Sequence, residues 1–445
     1  ASIIAASLLI MHGLIGHTQT MATILPVETW YVVSVILAPI GFVVQDVVAD
    51  AMTVEAVPKY ETDGTAFSEN DIKTMHTTMQ TLGRFAIISG SMLVALINVV
   101  IFSGTETLNE EQRVALYADV YVYALVIPLV SVLGVFLAKF LSYRTQKAAT
   151  LQEQDVPAKM THKRSNTEIN WSILLGSLVF VIFSVGIGVS NIPFSQEIVF
   201  GGSAAIILFL MNSLMRYMSA SQRNTIIGTA VIIFVFRSMP SPGPGMTWFE
   251  IDELFFDEYF FSILSLLASA LTLVGIVFLR SFMAHNSIAK IVVILSLLSA
   301  FLFLPSIGMV YGFHLWTSSM TGGLVDAKFI AIINTALESP LGQVAMIPLL
   351  AWIAKNAPEN MKATFFAVFA SFTNLALSAS ALGSKYLNQI FVITREVKDK
   401  VTGNIVSSAD YSELGVLMIS VALVTLCIPI ATIFIVQNSK YKSEE

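Results

Sequence analysis

Three carboxylates stand in one apolar run, Gln45-Asp46-Val47-Val48-Ala49-Asp50-Ala51-Met52-Thr53-Val54-Glu55. Asp46 and Asp50 are four residues apart and share a helix face, whereas Glu55 falls on another. A charge inside a membrane is costly unless it is paired or hydrated, so it tends to mark a pathway, a relay or a partner helix. Asp46 and Asp50 are therefore read as proton-coupling or gating groups, against the alternative of a structural ion pair or helix cap. Glu55 is read as structural. Arg84, in Thr81-Leu82-Gly83-Arg84-Phe85, lies about 12 Å inside its segment, at the same depth as Asp50. An Asp50–Arg84 pair would be a gate latch, or simply a buried pair.

A second stretch, Phe236-Arg237-Ser238-Met239-Pro240-Ser241-Pro242-Gly243-Pro244-Gly245, sets three prolines and two glycines after an intramembrane arginine. Proline removes a backbone donor and clashes with the preceding turn, so a helix must break there. Broken helices in transporters expose backbone groups that bind substrates or ions. A guanidinium pairs with a carboxylate in a fork, which makes Arg237 a candidate anchor for an anionic substrate. The competing reading is an exit loop with Arg237 snorkelling to the headgroups.

A third stretch runs from Asp326 through Asn334 to Glu338. Glu338 falls near the middle of its segment, about 15 Å from the outer end, and a carboxyl at that depth suits a coupling proton. Asp326 lies at the outer mouth and is grouped with it as a coupling or gating residue. Asn334, together with Asn374 in Ser371-Phe372-Thr373-Asn374, is a candidate substrate-binding amide. Small and hydroxylated residues continue past Asn374 through Ser378, Ser380, Gly383 and Ser384; close helix packing is their first explanation. With Arg237 about 18 Å from the cytoplasmic face, Arg237 and Glu338 are predicted to line one central cavity.

Other chemistries find no support. Phosphate-loop and nucleophile-elbow sequences are absent, so no catalytic residues and no enzyme activity are assigned. His12 and His17 are five apart, whereas helical metal pairs favour four; no metal or cofactor is predicted. Cys427 is the single cysteine. Glu250, Asp252, Glu253, Asp257 and Glu258 read as a solvated acidic face on the outer side. No basic patch suggests nucleic acid.

The elements that must position these residues follow from composition. Of 445 residues 55% are hydrophobic and only 12% charged, with a mean hydropathy of +0.76. So few charges cannot cover a water-soluble protein of this size. The apolar residues form long blocks, and a spanning helix needs about 20 of them. Twelve segments are expected: 2–18, 29–57, 76–103, 115–142, 171–192, 197–217, 225–240, 259–280, 290–313, 328–354, 363–393 and 413–437. With loops placed on alternate sides, fifteen lysines and arginines face one side and four, Arg113, Arg395, Lys398 and Lys400, the other. The first side is then cytoplasmic and includes the C-terminus. The chain begins at Ala1 inside an apolar stretch, and the N-terminus is expected to be missing.

The expected organisation is a helical bundle over 1–142, a cytoplasmic linker over 143–170 and an inserted helix pair over 171–217. A second bundle covers 218–437 and a cytoplasmic tail 438–445. The fold class is an all-α polytopic membrane protein.

Gln45–Glu55, Phe236–Gly245, Glu338–Pro348 and Ala357–Asn374 together resemble motifs of the folate–biopterin transporter family of the major facilitator superfamily. Asp46 and Asp50 match the acidic pair of its Asp-Val-Val-Ala-Asp pattern, and Arg237 and Pro240 the arginine and proline before the loop. The resemblance implies two pseudo-symmetric bundles, alternating access, coupling to protons and folate- or pterin-like substrates. It also implies that the first two helices are absent and that the intact protein has fourteen. Lys362 stands where an acidic residue is usual. The neighbouring muropeptide-permease and acetyl-coenzyme-A-transporter families carry a similar Gln-Asp-x-x-x-Asp pattern.

The expected function is proton-coupled secondary transport of an anionic folate- or pterin-like solute. The alternatives are transport of another solute (muropeptide, nucleotide-like or acyl-coenzyme-A-like), or a non-transporting receptor or scaffold. The expected partners are the solute, protons and the lipid bilayer, with the protein a monomer in the plasma membrane or a bacterial inner membrane.

Overall fold

The structure is a computed structural model. It describes residues 1–55, 65, 67–105, 108–151, 179, 181–188, 190, 192–216, 218–342, 344, 346–348, 352, 362–398 and 405–443. The chain divides into two compact units, residues 1–84 with 103–170 and residues 85–102 with 171–445. Helices dominate both, as a bilayer requires: only closed hydrogen-bonded structures hide their backbone from lipid.

The first unit is built on α1 (Ser2–Gly16), α2 (Thr18–Ala22), α3 (Val27–Glu55), the start of α4 (Glu69–Phe102), α5 (Glu110–Tyr123) and α6 (Val126–Leu151). α1 packs on α3 and α5. Its seam with α3 is fixed by a reciprocal pair, in which the hydroxyls of Ser7 and Ser34 each donate to the other's carbonyl at 2.9 Å. Buried hydroxyls joined across helices in this way are a common membrane glue. His12 Nδ1 lies 2.9 Å from the carbonyl of Ala118 on α5. On α3, Gln45 opens the acidic motif and donates to Ser131 of α6 at 2.8 Å. α6 continues to Leu151, into the stretch expected as linker, because Gln, Lys and Ala at 146–149 are good helix formers. The rest of that linker lies outside the described residues.

The second unit holds the end of α4 and the helices from α7 onward. α7 (Ser195–Met215), α8 (Ala220–Arg237) and α16 (Lys362–Ile390) share one core, in which Met211, Met215, Ile226, Ile233, Phe365 and Phe369 are buried together. The rings of Phe365 and Phe369 stack at 4.3 Å. A second core joins α9 (Pro244–Asp252), α10 (Glu258–Phe278), α13 (Leu304–Val310), α15 (Ala327–Glu338) and α17 (Leu414–Gln437) around Phe249, Phe260, Ile307, Ile330, Leu414 and Leu417. Between these helices lie α11 (Arg280–His285), α12 (Ile288–Leu302) and α14 (Phe313–Met320). An antiparallel hairpin, β1 (Val397–Lys398) and β2 (Ile405–Ser407), precedes α17.

Among the described residues, eight stretches are long and apolar enough to cross a membrane, against twelve expected. Segment 2–18 forms the shorter apolar helix α1. Much of 171–192 lies outside the described residues. Segments 225–240 and 363–393 form the long helices α8 and α16, which are not among the eight. Two expected continuous segments are broken. A turn at Phe303, with Pro305 just beyond it, separates α12 from α13. α15 ends at Glu338 and passes into a single 3-10 turn, Ser339–Leu341, that contains Pro340.

Candidate functional site

The proline-rich break is present and its geometry follows from its residues. α8 begins in a capping box between Ser219 and Gln222. It ends at Arg237, where the amide of Ser238 makes the last helical bond, to Phe234, at 2.9 Å. Pro240, Pro242 and Pro244 bring no N–H to continue it. Gly243 takes φ +75°, a conformation that favours glycine, and α9 then starts with Pro244 at its first position.

The exposed backbone of the break is met by one face of α16. Ser380 Oγ donates to the carbonyl of Met239 at 2.6 Å. The amide of Ser241 donates to Ser384 Oγ at 2.8 Å, and Asn388 Nδ2 donates to the carbonyl of Pro242 at 3.1 Å. The three side chains are four residues apart and stack along that face. The hydroxylated run on α16, expected to serve close helix packing, is thus in part a set of partners for a broken helix.

Arg237 points into the second unit. Its Nη1 lies 2.9 Å from Met346 Sδ. It lines a cavity of about 20 Å³ with Ile233, Phe236, Ile288, Ile291, Val292 and Pro348, room for about one water. Arg237 thus lies beside these apolar side chains and beside residues that follow the second break.

Glu338 is not among the residues lining that cavity. It is exposed at the end of α15, and no ion pair joins Arg237 to Glu338 or Asp326 among the described residues. The expectation of one cavity shared by Arg237 and Glu338 assumed a continuous helix through 328–354. Pro340 breaks it, and the turn at 339–341 packs on α10, where Thr272 Oγ1 donates to the carbonyl of Ser339 at 3.0 Å. Asp326 is exposed and caps α15, accepting from the amide of Phe329 at 2.8 Å. Asn334 Oδ1 is buried with no hydrogen-bond partner among the described residues. Asn374 is exposed on α16. In the first unit Arg84 is half-buried. The side chains of Asp46 and Asp50 lie outside the described residues, and the latch with them.

Two polar clusters escaped the sequence reading. Glu197, in the first turn of α7, accepts from Lys385 Nζ at 2.7 Å and from the hydroxyl of Tyr386 at 2.6 Å through the same oxygen. A lysine so deep in an apolar segment was the available signal, because such a charge needs a partner. In the loops, Arg395 forks onto Asp252 at 2.9 and 2.7 Å, and Tyr411 donates to the same carboxylate at 2.6 Å. The Arg395 bonds hold the Asp252 carboxyl below its usual range, and Asp252 in turn raises the Arg395 pKa. Burial, then the bond to Asp252, pushes the Tyr411 phenol up. Glu250 is half-buried, and desolvation raises it to about 7. The expectation of a solvated acidic face over 250–258 is corrected at both positions: a fork partner nineteen residues before α17 could not be paired with Asp252 by spacing alone.

Comparison with known proteins agrees with the helical architecture. The BT1 family matches residues 3–445. The folate-biopterin transporter of Synechocystis sp. (strain ATCC 27184 / PCC 6803 / Kazusa) is 24% identical over 157 residues, which is 35% of this chain and 31% of that protein. The chain thus spans under a third of that relative's length. The fold is similar to that of a POT family transporter whose crystal structure holds a thioalcohol-conjugated peptide, with a TM-score of 0.54 and 12% identity over 99% of this chain and 81% of that one. At that identity the likeness speaks to fold alone. The broken, polar-laddered helices, the apolar stretches long enough to cross a bilayer and the match over nearly the whole length lead to one assignment: the chain is an integral, multi-pass membrane protein that belongs to the BT1 family, within the major facilitator superfamily.

Proposed function

We propose that this chain is a secondary active transporter that moves an anionic folate- or pterin-like solute by alternating access, coupled to protons. The observation that carries the reading is Arg237: a guanidinium at the broken end of α8, turned inward, beside residues that follow a second break. Paired discontinuous helices are where transporters place their ligand sites. Membership in the BT1 family and the name of the cyanobacterial relative support the solute class.

In this reading Arg237 receives a substrate carboxylate, and Asn334 and Asn374 offer amides to the heteroaromatic ring. The cavity at Arg237 holds about one water, so admitting a pterin requires the alternating-access movement that separates its walls. Glu338 carries the coupling proton from its position at the end of α15, with Asp326 at the mouth. Asp46, Asp50 and Arg84 gate the first unit. The C-terminus faces the cytoplasm, following the lysine and arginine bias.

The test is uptake of labelled folate, biopterin and a muropeptide into proteoliposomes, with and without a pH gradient. Folate and biopterin uptake accelerated by the gradient is the expected result. A rate indifferent to the gradient removes proton coupling, and selective uptake of the muropeptide removes the solute class.

A further inference from the structure

We infer that Ser380, Ser384 and Asn388 are positioning residues for the substrate anchor: they hold the break after α8 in register with α16 and thereby aim Arg237. The inference rests on the reading of Arg237 as an anion anchor and extends it to residues that never touch the solute.

Three observations carry it. First, the bonds follow the chain in order. Met239, Ser241 and Pro242 of the break meet Ser380, Ser384 and Asn388 of α16. Successive rungs climb one turn of α16 while the break advances by one or two residues. Second, the break and α16 are in close contact. A Cβ at Gly243 would stand 2.9 Å from Asn388 Nδ2, and one at Gly383 would stand 3.4 Å from the Pro240 ring. Third, the ladder starts two residues after Arg237, the last residue of α8. The direction of that side chain depends on where Met239 is pinned.

Backbone groups freed by a break must find partners in a membrane, so part of this ladder is plain satisfaction of hydrogen bonds. Its register does more. Turning α16 by one residue rotates all three side chains about 100° away and leaves three backbone groups unmet together. Intermediate positions are thereby disfavoured, and the break moves with α16 as one body. Any rearrangement of α16 during transport then carries the guanidinium with it.

The test measures equilibrium binding of folate, which is anionic, and biopterin, which carries no carboxylate, to the chain in lipid nanodiscs. Ser380→Ala and Asn388→Ala are each expected to weaken folate about tenfold, the size of one lost hydrogen bond. Biopterin binding should change by less than about twofold. Ser380→Thr, which keeps the hydroxyl, should restore folate binding. Combined with Arg237→Gln, the alanine variants should add no further loss, since they act through that residue. Equal losses for both ligands, additive losses with Arg237→Gln, or no loss overturn the inference. Should Arg237→Gln itself bind folate normally, the anchor reading fails and the inference falls with it.

A variant that does not fold is replaced by Ser384→Ala against Ser384→Thr. If the parent chain binds neither ligand, the solute reading fails and position is read without a ligand. In an Arg237→Cys, Cys427→Ser background, Ser380→Ala should change the rate of thiol modification about tenfold. An unchanged rate overturns the positioning role.

Discussion

Asn388 on α16 reaches the carbonyl of Pro242, 3.1 Å away, across a sequence separation of 146 residues. With Ser380 and Ser384 it accounts for three polar side chains on one face of the long helix α16. Their polar groups meet the backbone of the break that follows α8. A helix broken by prolines leaves donors and acceptors in a low-dielectric setting, and the neighbouring helix has to supply the complement.

The anchor role of Arg237 separates charge from geometry. Arg237→Lys keeps the cation and loses the planar fork. Folate affinity should fall about tenfold to a hundredfold, the scale of a lost charge-assisted pair. Binding measured in nanodiscs checks this; normal affinity in the lysine variant removes the anchor.

Glu338 tests coupling. Glu338→Gln mimics the protonated carboxyl, so uptake should lose its response to an imposed pH gradient while counterflow of unlabelled against labelled folate continues. A gradient response equal to that of the parent protein would place the coupling proton elsewhere.

The Glu197–Lys385 pair should hold α7 to α16. Lys385→Ala leaves a carboxylate with only the Tyr386 hydroxyl. The side chains are 22% and 33% accessible, so the loss is expected as a lower melting temperature, larger than for a fully exposed pair. Glu197→Gln with Lys385→Met should recover most of it, because neither charge is then stranded. Thermal unfolding of the four proteins in one detergent closes the cycle; additivity would mean the two residues do not couple.

The loop cluster predicts two opposite pH responses. Glu250 is raised to about 7 by burial. The folded state therefore binds more protons than the unfolded chain between roughly pH 4.3 and 7. Stability from this group is greatest below that window and is lost as pH rises through about 7. Glu250→Gln should flatten the fall in melting temperature between pH 5 and pH 8. Asp252 is depressed by the Arg395 fork, so its contribution is present above the ordinary carboxylate range and disappears on acidification below it. Asp252→Asn should remove the loss at low pH and weaken the attachment of the segment at Arg395 to α9, seen as faster proteolysis between Ile393 and Ser412. A melting profile unchanged by either variant would detach these residues from the pH response.

Composition and pattern alone determined the solvent, the helical class and most segment positions. Lipid demands long apolar runs, and such runs are visible without coordinates. The break after Arg237 was equally legible, because proline acts on its own helix. So was the family, through motifs along most of the chain. What only the tertiary structure decided were pairings between distant residues. Nothing local in Ser380, Ser384 or Asn388 distinguishes packing from partnership with a broken backbone. Likewise, nothing local in Glu197 announces Lys385, nor anything in Asp252 the Arg395 fork. Segment 328–354 was expected to be continuous, and the turn at Pro340 lies where Gly275 approaches its backbone closely. That turn left Glu338 exposed at the end of α15 while Met346 went to Arg237. Local sequence sets what each backbone segment can do; which polar groups find one another is fixed when helices far apart in the chain pack and every buried donor must be met.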